Sequence, residues 1–77
     1  MITQEQNHLI DVLESKGFEV VLEGDLVFVN DTKGNTTTME FVKDGYIEFL
    51  DSDLRNKTFR LDQERMLVVA ILNKFRL

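Results

Sequence analysis

The sequence predicts an α+β fold, in which a four-stranded antiparallel β-meander is flanked by an N-terminal and a C-terminal helix in the order α-β-β-β-β-α. Apolar residues recur at helical spacing near both ends of the chain and alternate with polar residues between positions 18 and 50. Glycine-containing turns divide that alternating part into four short runs. The 77 residues suffice for one small domain and are too few for two, so residues 1–77 are expected to form a single domain.

The first element is a helix predicted over residues 3–16. Thr3 and Gln6 have the spacing of a capping box, in which the hydroxyl and the amide each satisfy a free backbone N–H. Gly17 follows at the point where the helix should end. The apolar side chains that recur on one face of this helix are Ile2, Leu9, Ile10 and Leu13.

Four strands are predicted over residues 18–23, 26–30, 36–42 and 46–50. Residues 24–25 fit a two-residue turn, and residues 32–34 and 43–45 fit three-residue loops that end in a left-handed glycine. A slip of one residue at any turn would move every following side chain to the other face of the sheet. The three turns, chosen independently, place one apolar set on a common face: Phe18, Val20, Leu22, Val27, Val29, Met39, Phe41, Ile47 and Phe49.

The most polar run of the chain is NDTKGNTTTME, from Asn30 to Glu40, in which Lys33 precedes Gly34. A phosphate-binding loop needs several glycines, so that consecutive N–H groups point at the anion, and it normally opens a helix. This run contains one glycine and leads into a threonine-rich strand. It is therefore predicted to be a hairpin loop whose polar residues serve the turn.

The last element is a helix predicted to follow Asp62, its N-cap. Glu64 lies in the first turn and Lys74 and Arg76 in the last, an order that complements the helix dipole. The β-branched residues within 66–71 also fit a buried strand, but the length and the capping residues favour the helix. Because its middle is apolar nearly all round, one flank should meet the sheet and another the first helix or a second subunit.

Charge is distributed unevenly along the chain, whose net charge is −5. Residues 1–54 carry twelve acidic and three basic side chains, a balance of −9, whereas residues 55–77 carry six basic and two acidic ones, a balance of +4. An acidic body repels nucleic acid unless the basic C-terminal segment alone binds it.

The composition favours a cytoplasmic protein with no membrane partner. The chain has no cysteine, so neither a disulfide framework nor a thiolate metal site is expected. The N-terminus lacks the basic start and apolar core of a signal peptide, and no apolar run approaches the roughly 18 residues of a membrane span. For so small a core, oligomerisation is the remaining source of additional stability.

A calcium-loop pattern would have Asp51 at its first ligand position, Asp53 at its third and Asp62 at its twelfth. Arg55 occupies the fifth position of that pattern, where a cation would lie among the ligands, and Asn56 replaces the usual glycine. The segment is therefore interpreted as a solvated connection into the last helix.

His8 is the only histidine, with Glu5 and Asp11 one helical turn away on either side. A catalytic base needs a partner within hydrogen-bond reach, and Ser15 lies about two turns away, roughly 10 Å. Zinc needs three or four ligands, which one histidine without cysteine does not supply. We therefore expect no enzymatic activity, no catalytic residue, no metal and no cofactor.

The second face of the predicted sheet mixes carboxylates with apolar side chains. One face of an antiparallel sheet is usually polar, so these apolar groups call for a cover. Two explanations remain open, with the first slightly favoured: a helix or a second copy covers part of the face, or a basic partner protein docks on it. In the second case the predicted partner-binding residues are Glu19, Glu23, Phe28, Glu40, Tyr46 and Glu48.

The predicted function is a non-enzymatic protein–protein interaction module, a small acidic regulator or inhibitor that binds a basic partner surface. A phage or mobile-element origin would suit such a chain, as a hypothesis about context. The alternatives are a homo-oligomeric structural protein, such as a homodimer, and a nucleic-acid-associated protein, which the net acidity disfavours. The nucleic-acid alternative would use the basic segment, with its aromatic residue for stacking: Arg55, Lys57, Phe59 and Arg60.

Overall fold

The computed structural model of the protein describes residues 2–43, 45–50 and 57–76. Within these ranges the fold is α+β, with two helices packed on one side of a five-stranded antiparallel sheet. Each strand pairs with the next one in the sequence. The elements are α1 (Gln4–Ser15), β1 (Glu19–Glu23), β2 (Leu26–Asn30), β3 (Thr36–Val42), β4 (Tyr46–Phe49), β5 (Thr58–Arg60) and α2 (Glu64–Arg76).

Helix α1 begins with the predicted capping box. The N–H of Gln6 donates to the Thr3 hydroxyl oxygen at 3.1 Å, and the N–H of Thr3 donates to Gln6 Oε1 at 3.0 Å. Two backbone donors that the helix leaves unpaired are thereby satisfied. The buried face of the helix consists of Leu9, Ile10 and Leu13.

The strand register is the one that the predicted turns require. Val29 lies opposite Val20 on one side and Thr37 on the other, and Phe41 lies opposite Ile47. Gly34, at the end of the second loop, has a φ of +89°, a left-handed conformation that costs glycine little. Nine inward residues were predicted, and all but two lie in the buried core. The exceptions are on the edge strand β1, where Val20 is partly buried and Leu22 is 38 % exposed.

The prediction of four strands is wrong, because Thr58–Arg60 forms a fifth strand that pairs with β4. Phe59 faces the core opposite Ile47, and its ring packs edge-to-face on Phe49 with the centroids 6.0 Å apart. Three residues between charged neighbours are too few to distinguish a strand from a solvated connection by sequence alone. The signal was the two-residue spacing of Phe59 and Leu61, of which the second is 4 % exposed.

Helix α2 begins later than predicted, and Asp62 is not its N-cap. The carbonyl of Gln63 accepts the N–H of Leu67 at 3.1 Å, which places Gln63 at the N-cap position. Asp62 instead lies in a turn closed by the Gln63 N–H, which donates to the Arg60 carbonyl at 2.9 Å. Its carboxylate accepts from Arg60 Nε at 3.2 Å, with both side chains more than half exposed. The acidic first turn and the basic last turn of the helix are as predicted.

The core lies between the inward face of the sheet and the two helices. Leu67, Val68 and Ile71 of α2 are buried, and Phe75 packs edge-to-face on Phe18 with the centroids 5.8 Å apart. Helix α2 also contacts α1, which is one of the two partners predicted for its second flank. Its remaining flank stays in solvent, with Met66 and Val69 more than half exposed.

Candidate functional site

We call the second face of the sheet the outer face. It carries the residues that alternate with the buried ones along each strand, from Glu19 on β1 to Arg60 on β5. Both helices pack on the opposite side, where the buried apolar residues of the sheet point. Val21, Leu50 and Tyr46 on the outer face are 47 %, 44 % and 41 % exposed. Neither helix of the described residues therefore covers the apolar side chains of the outer face.

An apolar row crosses the outer face. Val21 of β1 lies opposite Phe28 of β2, which lies opposite Thr38 of β3. The N–H of Leu50 donates to the Thr38 carbonyl at 3.0 Å, so Leu50 extends the row beyond the end of β4. Phe28 is half-buried between its neighbours. The row is a narrow apolar band with an aromatic side chain in it.

A row of carboxylates runs beside the apolar row, two residues away from it along each strand. Glu23 lies opposite Leu26, Leu26 opposite Glu40, and Glu40 opposite Glu48. Glu40 and Glu48 are half-buried, and neither forms an ion pair with another described residue. Two carboxylates directly opposed on adjacent strands repel each other. The row ends at Thr58, whose Oγ1 lies 3.5 Å from Glu48 Oε2.

Tyr46 lies in a third row, between Val42 of β3 and Arg60 of β5. Arg60, like Thr58, was not predicted on the outer face, because β5 was not predicted. Its guanidinium group pairs with Asp62. The described outer face therefore has its positive charge at one corner, already partnered, and its carboxylates across the middle.

Glu19 is separated from the other predicted binding carboxylates by the apolar row. It lies opposite Asn30, whose Nδ2 donates to Glu19 Oε1 at 3.2 Å, and Asn30 Oδ1 accepts from Thr36 Oγ1 at 2.7 Å. The structure thus brings Glu23, Glu40 and Glu48 into one row, with Phe28 on one side and Tyr46 on the other.

The basic segment is not assembled into one patch. Arg55 lies outside the described residues, and alternation along β5 places Phe59 on the inward side of the sheet and Arg60 on the outer face. Lys57 is exposed and lines a surface groove with Phe59 and the exposed flank of α2. The half-buried ring of Phe59 packs on Phe49, so part of it serves the core.

The loop between β2 and β3 is organised by Asp31. Its Oδ1 accepts the N–H groups of Lys33 and Asn35 at 2.9 Å and 2.8 Å, and its Oδ2 accepts from Asn35 Nδ2 at 2.8 Å. The Asn35 amide, together with these backbone donors, holds the pKa of the Asp31 carboxyl below its ordinary value. The N–H groups that a bound anion would need are thus already donated to a carboxylate of the same loop, as expected for a hairpin turn.

His8 has a partner that the sequence did not indicate. Its Nε2 lies 2.9 Å from Oε2 of Glu64, in the first turn of α2, so the pair joins the two helices. The two residues are far apart in sequence, and only the packing of the helices reveals the contact. The His8 side chain is 65 % exposed, so this contact between the helices lies at the surface of the protein.

The described ranges contain no group of three His, Asp or Glu side chains placed to hold a metal ion. The start of the calcium-loop pattern, residues 51–56, lies outside these ranges. Neither α1 nor α2 is long and apolar enough to cross a membrane.

Comparison with known proteins adds no relative: no family model matches the sequence, and no curated protein and no solved structure matches it significantly.

Proposed function

We propose that the protein is a non-enzymatic interaction module that binds a basic partner surface through its outer face. One observation carries the proposal. Glu40 and Glu48 lie directly opposite each other in the middle of a sheet face that neither helix covers, beside a row of apolar side chains.

The carboxylate row is unfavourable for the isolated protein. Like charges directly opposite each other on neighbouring strands destabilise a sheet, and no described cation compensates Glu40 or Glu48. A cationic partner would remove this repulsion. Complementary charge would also speed the association of such a partner and disfavour acidic ones.

The apolar row gives the partner something to bury. Interfaces commonly combine an aromatic or aliphatic centre with charged residues around it. Phe28 lies within the row and Tyr46 lies beyond the carboxylates, so both are candidate anchors. Such a surface suits a regulator or inhibitor that acts by covering a basic region of its partner, with lysine or arginine meeting Glu23, Glu40 and Glu48.

A homodimer through the outer face is the less favoured alternative. Two copies packed face to face would bury both carboxylate rows, and the one outer-face cation among the described residues is already paired with Asp62. The cost of burying unpaired carboxylates would oppose the burial of the apolar rows. The same charge pattern favours a partner of opposite charge.

The nucleic-acid alternative has less support than the protein partner. Phe59 and Arg60 point to opposite sides of β5, so they do not form a single stacking and phosphate-binding surface. A gel shift with single- and double-stranded nucleic acid at low and moderate salt tests it directly, since phosphate binding weakens steeply with salt.

A charge-reversal comparison tests the proposed function. The immobilised protein is used to capture partners from a lysate of its source organism, in parallel with Glu40→Lys/Glu48→Lys and with a matched control, Asp11→Lys/Glu14→Lys. The control residues are exposed on α1. Each double variant changes the net charge from −5 by +4, to −1, so non-specific attraction is equal in both.

A partner retained by the wild type and the α1 control, and lost by the outer-face variant, is the expected result. The binding rates of that partner are then measured by surface plasmon resonance, where charge reversal should mainly slow association. If the outer-face and α1 variants retain every partner equally, a function for the carboxylate row is contradicted.

A further inference from the structure

The two edges of the sheet differ. Strands β1 and β5 are its outer strands. On β5, the N–H of Arg60 donates to Gln63 Oε1 and the Arg60 carbonyl accepts the Gln63 N–H, each at 2.9 Å. The turn into α2 thus occupies backbone groups that would otherwise offer that edge to another strand. Among the described residues, β1 has no comparable blocking contact.

The hydrogen-bond alternation shows which β1 groups face the open edge. The N–H of Phe41 donates to the Asp25 carbonyl and the N–H of Asp31 to the Asn35 carbonyl, so odd-numbered residues along β2 bond to β3. The even-numbered residues of β2 therefore bond to β1, at its residues 19, 21 and 23. The backbone N–H and C=O groups of Val20 and Leu22 remain, and they point to the open edge.

The side chains along this edge define what can pair with it. Glu19, Val21 and Glu23 belong to the outer face, while Val20 and Leu22 lie on the helix side. Leu22 is 38 % exposed although it faces inward, because β1 is an outer strand of the sheet and no other described strand lies beyond it. An added strand would continue both surfaces of the sheet, with apolar residues on the helix side and an acidic-apolar-acidic series on the other.

A second copy of the chain is a poor occupant. Antiparallel pairing of two β1 strands with full overlap is centred on Val21 and sets Glu19 of each copy opposite Glu23 of the other. Two such pairs of like charge oppose the dimer, a means by which edge strands avoid self-pairing.

We propose that β1 binds an extended segment of a partner as an additional antiparallel strand, and that this segment carries basic, apolar and basic residues at alternate positions. The backbone of Val20 and Leu22 supplies the hydrogen bonds, and Glu19 and Glu23 select lysine or arginine. This inference rests on the proposed function, since it specifies how a basic partner engages one end of the acidic outer face.

The probe is the capped peptide acetyl-KVYIK-amide, whose first, third and fifth residues would lie opposite Glu23, Val21 and Glu19. Titration into ¹⁵N-labelled protein is followed by amide chemical shifts and hydrogen exchange. The amides of Val20 and Leu22 should shift and exchange more slowly, and binding should weaken as salt is added. A peptide of sequence EVYIE should cause no such change.

Backbone methylation of the probe tests the strand geometry. N-methylation of its second residue removes the donor aimed at Leu22, and N-methylation of its fourth residue removes the donor aimed at Val20. Each should weaken binding about tenfold, whereas N-methylation of the third residue, whose N–H points away, should not. The protein variant Leu22→Pro removes the matching donor from β1 without removing a bond to β2, and edge strands tolerate proline. If that variant does not fold, the methylated peptides still test whether the peptide pairs with β1 as a strand.

The possible outcomes separate the two proposals. Equal binding of all methylated peptides, shifts confined to the groove between β5 and α2, or no shifts at millimolar peptide would overturn strand addition at β1. A β1-mediated dimer abolished by Leu22→Pro would assign the edge to a second copy and also overturn it. The proposed function is judged separately by reversal of Glu40 and Glu48, neither of which lies on β1.

Discussion

Asp31 shows how a polar run can serve structure rather than ligand binding. Its carboxylate accepts three hydrogen bonds within the loop, two from backbone N–H groups and one from the Asn35 amide. The sequence indicated a hairpin there because one glycine cannot build an anion-binding loop. It did not indicate Asp31 as the organising residue, since Asn30, Asp31 and Asn35 are all capable of such bonds.

The lowered pKa of Asp31 makes part of the stability depend on pH. The folded state binds a proton at this carboxyl less readily than the unfolded chain, whose value is near 3.8. The contribution is complete above that value and is lost as the pH falls through the lower folded-state pKa. In Asp31→Asn, stability should therefore change less steeply over roughly pH 4 to 2 than in the wild type. Carboxyl-carbon NMR titration gives the pKa, and thermal melts give the pH dependence; identical acid sensitivity in both proteins would refute the assignment.

Phe41 and Phe28 form a matched pair on opposite faces of the sheet. Phe41 is 7 % exposed in the core, so Phe41→Ala should lower the unfolding free energy by about 3–5 kcal/mol. Phe28 is half-buried on the outer face, and Phe28→Ala should cost clearly less while raising the dissociation rate of a bound partner. Urea denaturation and surface plasmon resonance measure the two effects. A larger stability loss from Phe28→Ala would contradict the assignment of the faces.

Among the elements, β1 to β4 and both helices were predictable because periodicity and turn chemistry agree there. The three turns each fixed a register, and all three put the same residues inward. Strand β5 was not predictable from three residues, and the start of α2 was displaced by a turn in which Gln63 bonds to Arg60. Asp62 has good N-cap chemistry, but that turn moves the helix start past it.

Gln63 closes the β5 edge and also stands at the N-cap position of α2. Removing its acceptor in Gln63→Ala should destabilise the fold by about 0.5–1.5 kcal/mol, because the Arg60 N–H loses its partner. Gln63→Glu keeps an acceptor near the positive end of the helix dipole and is the matched control. Urea denaturation checks both variants, and equal stability of the alanine and glutamate variants would argue against a role for this bond.

For the molecule as a whole, the asymmetry of the sheet determines where binding is expected. Both helices and the core lie on one side, and the carboxylate and apolar rows lie on the other. The sequence predicted the carboxylates and apolar side chains that β1 to β4 contribute to the outer face, but it missed the β5 residues Thr58 and Arg60. It also left the cover of the face open, because helix placement depends on packing across the whole chain. The sequence prediction grouped Glu19 with the other carboxylates, although the predicted register already places it on the far side of the apolar row, where Asn30 donates to it.

The single substitution Glu48→Lys tests the central claim most directly, because it separates binding from stability. It replaces the repulsive pair with Glu40 by an attractive cross-strand pair, so the unfolding free energy should rise by about 0.2–1 kcal/mol. Association with the partner recovered by wild-type protein should become slower in the same variant. Higher stability together with weaker binding is the predicted result. Unchanged or tighter binding by a folded Glu48→Lys variant would contradict the assignment of the outer face as the binding surface.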